Sequence, residues 1–314
     1  MEGRHILDNV IQVQETIHSS KQRKEKGMLI KLDIANAFDR VNRSFLRKVL
    51  LSFGFSSHFV QLIKACIDNP WIAPLINGRP TNFFQARRGI RQGCPLSPFL
   101  YILMADSLSR KLAVERIAST LPGLKPSNGS DPLNHALFVD DSILLGGASI
   151  RIEKAFENVL RSYCKVSGAL FNESKSEVFS WNIDQQDLNT MENLLGFKGH
   201  AQWDRIKYLG LPITSGVNKR TLWSEIISKI KAKITAWGGF WLTKGGKIIL
   251  IKSQLSALPI YQAAFLLAPR NVMEQISNIL RDFLWQGGKG NEKKMHLVNW
   301  DLVKKPIAEG GLQI

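Results

Sequence analysis

The sequence predicts an α+β domain followed by a helical region, with the change of character near residue 214. Three observations carry that expectation. Period-two patterning over residues 28–34 marks a strand, and two short apolar runs around Asp140 and Asp141 mark a hairpin. Beyond Leu222, amphipathic helical patterns take over. In chain order, Ile6, Val10, Val13 and Ile17 stand at helical spacing, and a charged loop over residues 21–26 ends at Gly27. Met28, Ile30, Leu32 and Ile34 then face one way and Lys31 and Asp33 the other, a strand ending at Asp33. Helices are expected over 41–51 and, after Ser56 and Ser57 as candidate caps, over 59–67.

Asn77-Gly78, between Leu75-Ile76 and Phe83-Phe84, has the composition of a hairpin turn. A turn-rich stretch over 89–98 introduces an apolar helix over 99–117, and the Pro/Gly/Ser-rich segment 121–132 is a loop. Residues 136–139 and 142–145 read as short strands. A helix carrying Ile152, Phe156, Val159, Leu160 and Tyr163 follows. After Tyr208-Leu209-Gly210, the residues Leu222, Ile226, Ile227, Ile230, Ile234 and Trp237 mark a lysine-bearing helix. Two more helices are expected over 248–258 and 272–283. Trp237 and Trp241 read as core residues.

Forty-two Lys and Arg against 26 Asp and Glu leave a net charge of +16, which attracts a polyanion. Nucleic acid leads and an acidic membrane surface comes second; 8 Trp and 16 Phe favour a stacked, phosphate-bearing ligand. Cys66, Cys94 and Cys164 are isolated, so neither a disulfide framework nor a zinc site is indicated. No signal peptide or membrane span is expected, and the protein reads as intracellular, nuclear or cytoplasmic.

Asp140 and Asp141 set two negative charges side by side at a tight hairpin, a costly arrangement unless a cation neutralises it. Hard divalent ions, Mg²⁺ or Mn²⁺, favour carboxylate oxygens and keep positions open for phosphate. Asp33, at the end of another strand, is the expected third ligand. Two ions about 3.5–4 Å apart on such carboxylates are the apparatus of nucleotidyl transfer. Taken alone, an Asp-Asp dipeptide is more often a plain exposed turn.

The surroundings change that balance. Lys31 to Asp39 resembles the first polymerase motif of reverse transcriptases, Gly89 to Pro98 the second, and Phe138-Val139-Asp140-Asp141 the third. Ser167 to Asn172 with Lys175-Ser176 is similar to the fourth and Tyr208-Leu209-Gly210 to the fifth, all in the family's order. The resemblance is to the non-LTR (LINE-type) retrotransposon enzymes, plant-type in particular. It extends through Gly3-Arg4 and Asp8-Asn9 at one end and Leu255 to Pro259, Phe283 to Trp285, Trp300-Asp301 and Gly310 to Leu312 at the other.

This resemblance implies a right-hand polymerase palm, a ferredoxin-like antiparallel sheet with helices, followed by a helical thumb. Residues 1–27 would be a residual fingers or linker segment, 28–213 the palm, and 214–314 the thumb and connection. It implies an RNA-directed DNA polymerase module, truncated in its fingers; the alternative is a catalytically inactive nucleic-acid-binding remnant. Partners would be an RNA template, a DNA primer and dNTPs, with no membrane. Asp33 and Asp140 would be the principal ligands of two Mg²⁺ or Mn²⁺ ions, the Ile34 carbonyl assisting and Asp141 secondary. Phe38, five residues after Asp33, occupies the sugar-gate position. Gln92 would lie near nucleotide and template, and Lys175 would meet the triphosphate or protonate the leaving group. Asp39 would support the turn. In the thumb, Lys229, Lys231, Lys233, Lys244, Lys247 and Lys252 would contact phosphates.

Overall fold

The structure, a computed structural model, describes residues 5–68, 70–214, 219–237, 242–285 and 296–313. The chain divides into two compact units, Met1–Trp203 and Asp204–Ile314. In the first, α1 (Ile6–Gln22) leads into β1 (Gly27–Leu32), then α2 (Arg43–Ser52) and α3 (Ser57–Ile67). Four two-residue strands, β2 (Trp71–Ile72), β3 (Leu75–Ile76), β4 (Arg79–Pro80) and β5 (Phe84–Gln85), precede α4 (Ser97–Ile117). The hairpin β6 (His135–Phe138) and β7 (Asp141–Gly147) comes next. It is followed by α5 (Ile150–Ser167), β8 (Glu177–Trp181), α6 (Gln185–Leu195) and β9 (Lys198–His200).

Five of these strands form one sheet in the order β6-β7-β1-β8-β9, antiparallel except between β8 and β9, while β2 pairs with β5 and β3 with β4. The predicted alternation of β1 is observed. Met28, Ile30 and Leu32 pack with Leu108 and Leu112 of α4 and with Phe156, Val159, Leu160 and Tyr163 of α5. The opposite face is also covered, so Leu29, Ile143, Leu145 and Phe179 are buried too. There α1 buries Val10, Val13 and Ile17, and Trp181 Nε1 donates to Ser20 Oγ at 3.1 Å. Each of these large apolar side chains contributes about 1.5–3 kcal/mol by leaving water. A second cluster joins Leu46 and Leu50 of α2, Val60 and Ile63 of α3, and Leu100, Tyr101 and Met104 of α4.

Strand β6 is fixed on α4 by a buried amide. Asn134 Nδ2 donates to the carbonyls of Leu112 (2.8 Å) and Leu121 (3.1 Å), so its Oδ1 is the end facing His135 Nδ1 at 2.6 Å. In the neutral ring Nδ1 therefore carries the proton, and Nε2 accepts from Ser109 Oγ at 2.7 Å. This network sets the strand that leads into Asp140.

Glu153, in the first turn of α5, is only 2 % exposed, and its Oε2 finds no hydrogen-bond partner among the described residues. Burial, reinforced by the Asp187 carboxylate, raises its pKa. A raised carboxyl favours the protonated fold. Its contribution is therefore intact below the unfolded pKa and lost as pH rises through the folded one. Glu153→Gln should thus stabilise the protein by about 1 kcal/mol at pH 7, with the gain vanishing near pH 4, as read by denaturant unfolding.

The second unit opens with the hairpin β10 (Arg205–Tyr208) and β11 (Leu211–Thr214), ten residues before the expected change at 214. Then come α7 (Lys219–Ala236), α8 (Lys244–Leu250), a π turn (Ile251–Leu255), α9 (Ala257–Ala263), α10 (Arg270–Trp285) and α11 (Trp300–Lys304). Trp223, Ile230, Ile251, Leu255, Ile276, Leu280 and Phe283 form its core, with Trp237 packed against it. Trp241, Gly3 and Arg4 lie outside the described residues. One lysine expected to face phosphate faces inward instead. Lys247 is 3 % exposed, with its ammonium 5.5 Å from the Phe283 ring centre. Lys229, Lys231, Lys244 and Lys252 are exposed, while Lys233 Nζ is held by Gln254 Oε1 at 2.9 Å.

Candidate active site

Strand register brings the three carboxylates to one end of the sheet. Leu32 pairs with Ser142, and carrying the register one residue further sets Asp33 opposite Asp141. Phe138 pairs with Asp141 across a two-residue turn made of Val139 and Asp140, so Asp140 is at the exposed tip. Val139 has φ +54°, a conformation that costs a β-branched residue about 1–2 kcal/mol and closes the hairpin tightly. Asp33 is held from behind. Its N–H donates to Ser176 Oγ at 3.1 Å, and its carbonyl accepts from Asn172 N–H at 2.8 Å. Ile34, 9 % exposed, bridges to Phe171 and continues the sheet.

Burial pushes the Asp141 carboxyl up, and the Asp140 carboxylate adds to this; Lys31 opposes it, and Asp33 contributes in the same sense as Asp140. The charges of Asp140 and Asp33 therefore both act on Asp141. Among the described residues no group of three His, Cys, Asp or Glu side chains is arranged to hold a metal ion. That is compatible with Mg²⁺, which keeps waters and substrate phosphates as ligands and needs only one or two protein carboxylates. The crowded carboxylates at adjacent strand ends fit such an ion.

The second expected group also comes together. Phe38 and Gln92, with Gly93, Cys94, Pro95 and Pro98, line an open recess of about 510 Å³. Two backbone bonds join the turn after β1 to the segment before α4, from Ile90 N–H to the Phe38 carbonyl (2.9 Å) and from Gly89 N–H to the Val41 carbonyl (3.0 Å). Gln92 Nε2 donates to Asp39 Oδ2 at 3.3 Å, so Asp39 meets Gln92 rather than only shaping its own turn. Arg43 Nε donates to the Gly89 carbonyl at 2.8 Å, and its Nη2 reaches the carbonyls of Ala86 and Arg88. The Cys94 thiol is lowered by backbone N–H groups at the start of α4, Leu96 first, and by Arg91.

Lys175 is exposed on the turn after Asn172, next to the Ser176 that holds Asp33. That turn is built by Asn172, whose Oδ1 accepts from the Ser174 N–H (3.1 Å) and hydroxyl (2.7 Å). Tyr101 escaped the sequence reading. It stands under the Phe38 ring, at a position indistinguishable in sequence from the core face of α4.

Comparison with known proteins bears on this geometry. The family described as reverse transcriptase (RNA-dependent DNA polymerase) matches residues 1–213. The uncharacterized 149 kDa protein of transposon TX1 from Xenopus laevis is 28% identical over 317 residues, 98% of this chain and 23% of that protein. The Pol polyprotein of a type-1 R2 retrotransposable element from Popillia japonica is 27% identical over 229 residues, 69% of this chain and 36% of that protein. A putative ribonuclease H protein of Arabidopsis thaliana is 33% identical over 98 residues, 31% of this chain and 16% of that protein. The chain thus spans well under half the length of these relatives.

Proposed function

This chain belongs to the reverse transcriptase (RNA-dependent DNA polymerase) family, of the non-LTR retrotransposon type, and on that premise we propose that it extends a DNA primer with dNTPs on an RNA template. The observation that carries the proposal is the strand register that sets Asp33, Asp140 and Asp141 at one end of the sheet, with Asp140 and Asp33 both acting on Asp141. The first unit serves as palm and the second as thumb. The finer placement among plant-type elements is supported by the Arabidopsis relative and by the thumb-side residues Leu255 to Pro259 and Phe283 to Trp285.

Asp33 and Asp140 would hold two Mg²⁺ or Mn²⁺ ions, with Asp141 and the Ile34 carbonyl assisting. When bound, such ions activate the primer 3′-hydroxyl and neutralise charge on the triphosphate. The chain's own residues do the remainder. Phe38 presents a bulky ring to the sugar and crowds a 2′-hydroxyl. Gln92, held by Asp39, presents its side chain to the incoming nucleotide at the mouth of the recess. Lys175 supplies a cation from the turn that anchors Asp33. Lys229, Lys231, Lys244 and Lys252 can meet backbone phosphates without reading sequence.

The test is extension of a labelled DNA primer on an RNA template. Extension should stop with EDTA and return with excess Mg²⁺. Salt-sensitive template binding with no extension in any divalent ion would instead identify an inactive nucleic-acid-binding remnant. If Phe38 is the sugar gate, Phe38→Ala should raise ribonucleotide use relative to deoxyribonucleotide use by roughly tenfold, read from paired kcat/KM values.

A further inference from the structure

Phe38 has an aromatic neighbour. Its ring stacks on that of Tyr101, with centroids 5.0 Å apart and planes inclined by 28°. Tyr101 is 1 % exposed and lies on α4, whose first turn follows directly on Gln92 to Leu96. It belongs to the cluster of Val41, Ile90, Leu100 and Met104, against which both Phe38 and Val139 pack. One side chain is therefore packed under the ring expected to face the sugar and near the turn that carries Asp140. Burial keeps the Tyr101 phenol protonated, and Tyr163 and then Asp140 act in the same sense.

We propose that Tyr101 is a positioning residue for sugar discrimination, setting the plane and height of the Phe38 ring from below. This rests on the reading of Phe38 as the gate, and it goes beyond that reading by assigning the gate's geometry to a second residue. The physical reason is the shape of the contact. An exposed edge of an aromatic ring rotates and sinks unless a flat, rigid neighbour backs it, and an offset-stacked ring supplies both support and orientation. An aliphatic side chain of similar bulk fills the space without fixing the plane. Discrimination against one hydroxyl depends on the placement of that ring, so a small displacement alters selectivity more than turnover.

The experiment measures kcat and KM for a dNTP and its matching rNTP in wild type, Tyr101→Phe, Tyr101→Leu, Phe38→Ala and the Phe38→Ala/Tyr101→Leu double variant. Tyr101→Leu should lower deoxy-over-ribo selectivity by about tenfold, through the rNTP KM, with kcat for dNTP little changed. Tyr101→Phe should keep wild-type selectivity, and in the Phe38→Ala background Tyr101→Leu should add nothing. If Tyr101→Leu fails to fold, Tyr101→Met takes its place, since it keeps volume without a ring. Equal losses for dNTP and rNTP, or additive losses in the double variant, would overturn the positioning role while leaving the gate standing. Wild-type selectivity in Phe38→Ala would overturn the gate reading itself, and a wild type that extends nothing would overturn the polymerase reading, each taking this inference with it.

Discussion

Replacing Asp140 by Asn will lower Mg²⁺-dependent primer extension by on the order of a thousandfold while leaving the fold intact. Asn keeps the shape of the side chain and loses only the charge, so the variant separates electrostatics from packing. Asp140 stands exposed at the tip of the β6–β7 turn, where it contributes no buried contact to stability. Its charge, however, adds to the burial that raises Asp141, so removing it relieves repulsion in the metal-free protein. The expected outcome is an unfolding midpoint that is unchanged or slightly raised, beside an almost complete loss of extension. Asp33→Asn should behave the same way in the assay. Its position depends on backbone bonds to Ser176 and Asn172 that the substitution leaves in place. Extension at near wild-type rate in either variant would remove that residue from the site.

The second large effect is on folding. Gly89→Ala should destabilise the first unit by roughly 3 kcal/mol or more. Gly89 has φ +79°, and a Cβ there would stand 2.5 Å from the Asp39 carbonyl oxygen, a backbone atom that cannot swing aside. The same residue donates its N–H to Val41 and accepts from the buried Arg43, so any shift breaks the seam between the turn after β1 and the start of α4. Gly93 is the internal control. It has nearly the same φ, +78°, but open space where its Cβ would go, so Gly93→Ala should cost only about 1–2 kcal/mol. Denaturant unfolding of the two variants side by side reads the difference. Equal costs would mean that the close approach of Gly89 to Asp39 contributes nothing.

How much of this was legible in the sequence depends on how strongly each element is patterned. Strand β1 and the β6–β7 hairpin were readable because they alternate or run apolar on either side of charged residues that have no place in a core. The pairing of Phe38 with Gln92 was expected from a family resemblance, and the recess they share is what the fold adds. Helix α6 escaped notice because it buries only Leu188 and Met191 in an otherwise polar segment, too few for a helical period to stand out. The three-residue parallel strand β9, Lys-Gly-His, has no alternation at all. Lys247 reads as a surface cation by residue type alone. Yet it stands four and eight residues before Ile251 and Leu255, which are buried on the same face, and its spacing already placed it inside. Tyr101 was invisible for the opposite reason. Its spacing on α4 matches the core, and only the fold shows which ring it supports.

If Asp33 and the pair Asp140 and Asp141, more than a hundred residues later in the sequence, bind one group of metal ions, the two stretches of chain must lie beside the same ion. Iron-directed backbone cleavage measures that directly, with Fe²⁺ in place of Mg²⁺, ascorbate and peroxide added, and the fragments mapped by mass. Two cut positions are expected in the same preparation, beside residue 33 and beside residues 140–141, both suppressed by excess Mg²⁺ and both lost in Asp140→Asn. Cleavage at only one of them, cleavage elsewhere, or a pattern indifferent to Asp140→Asn would contradict it.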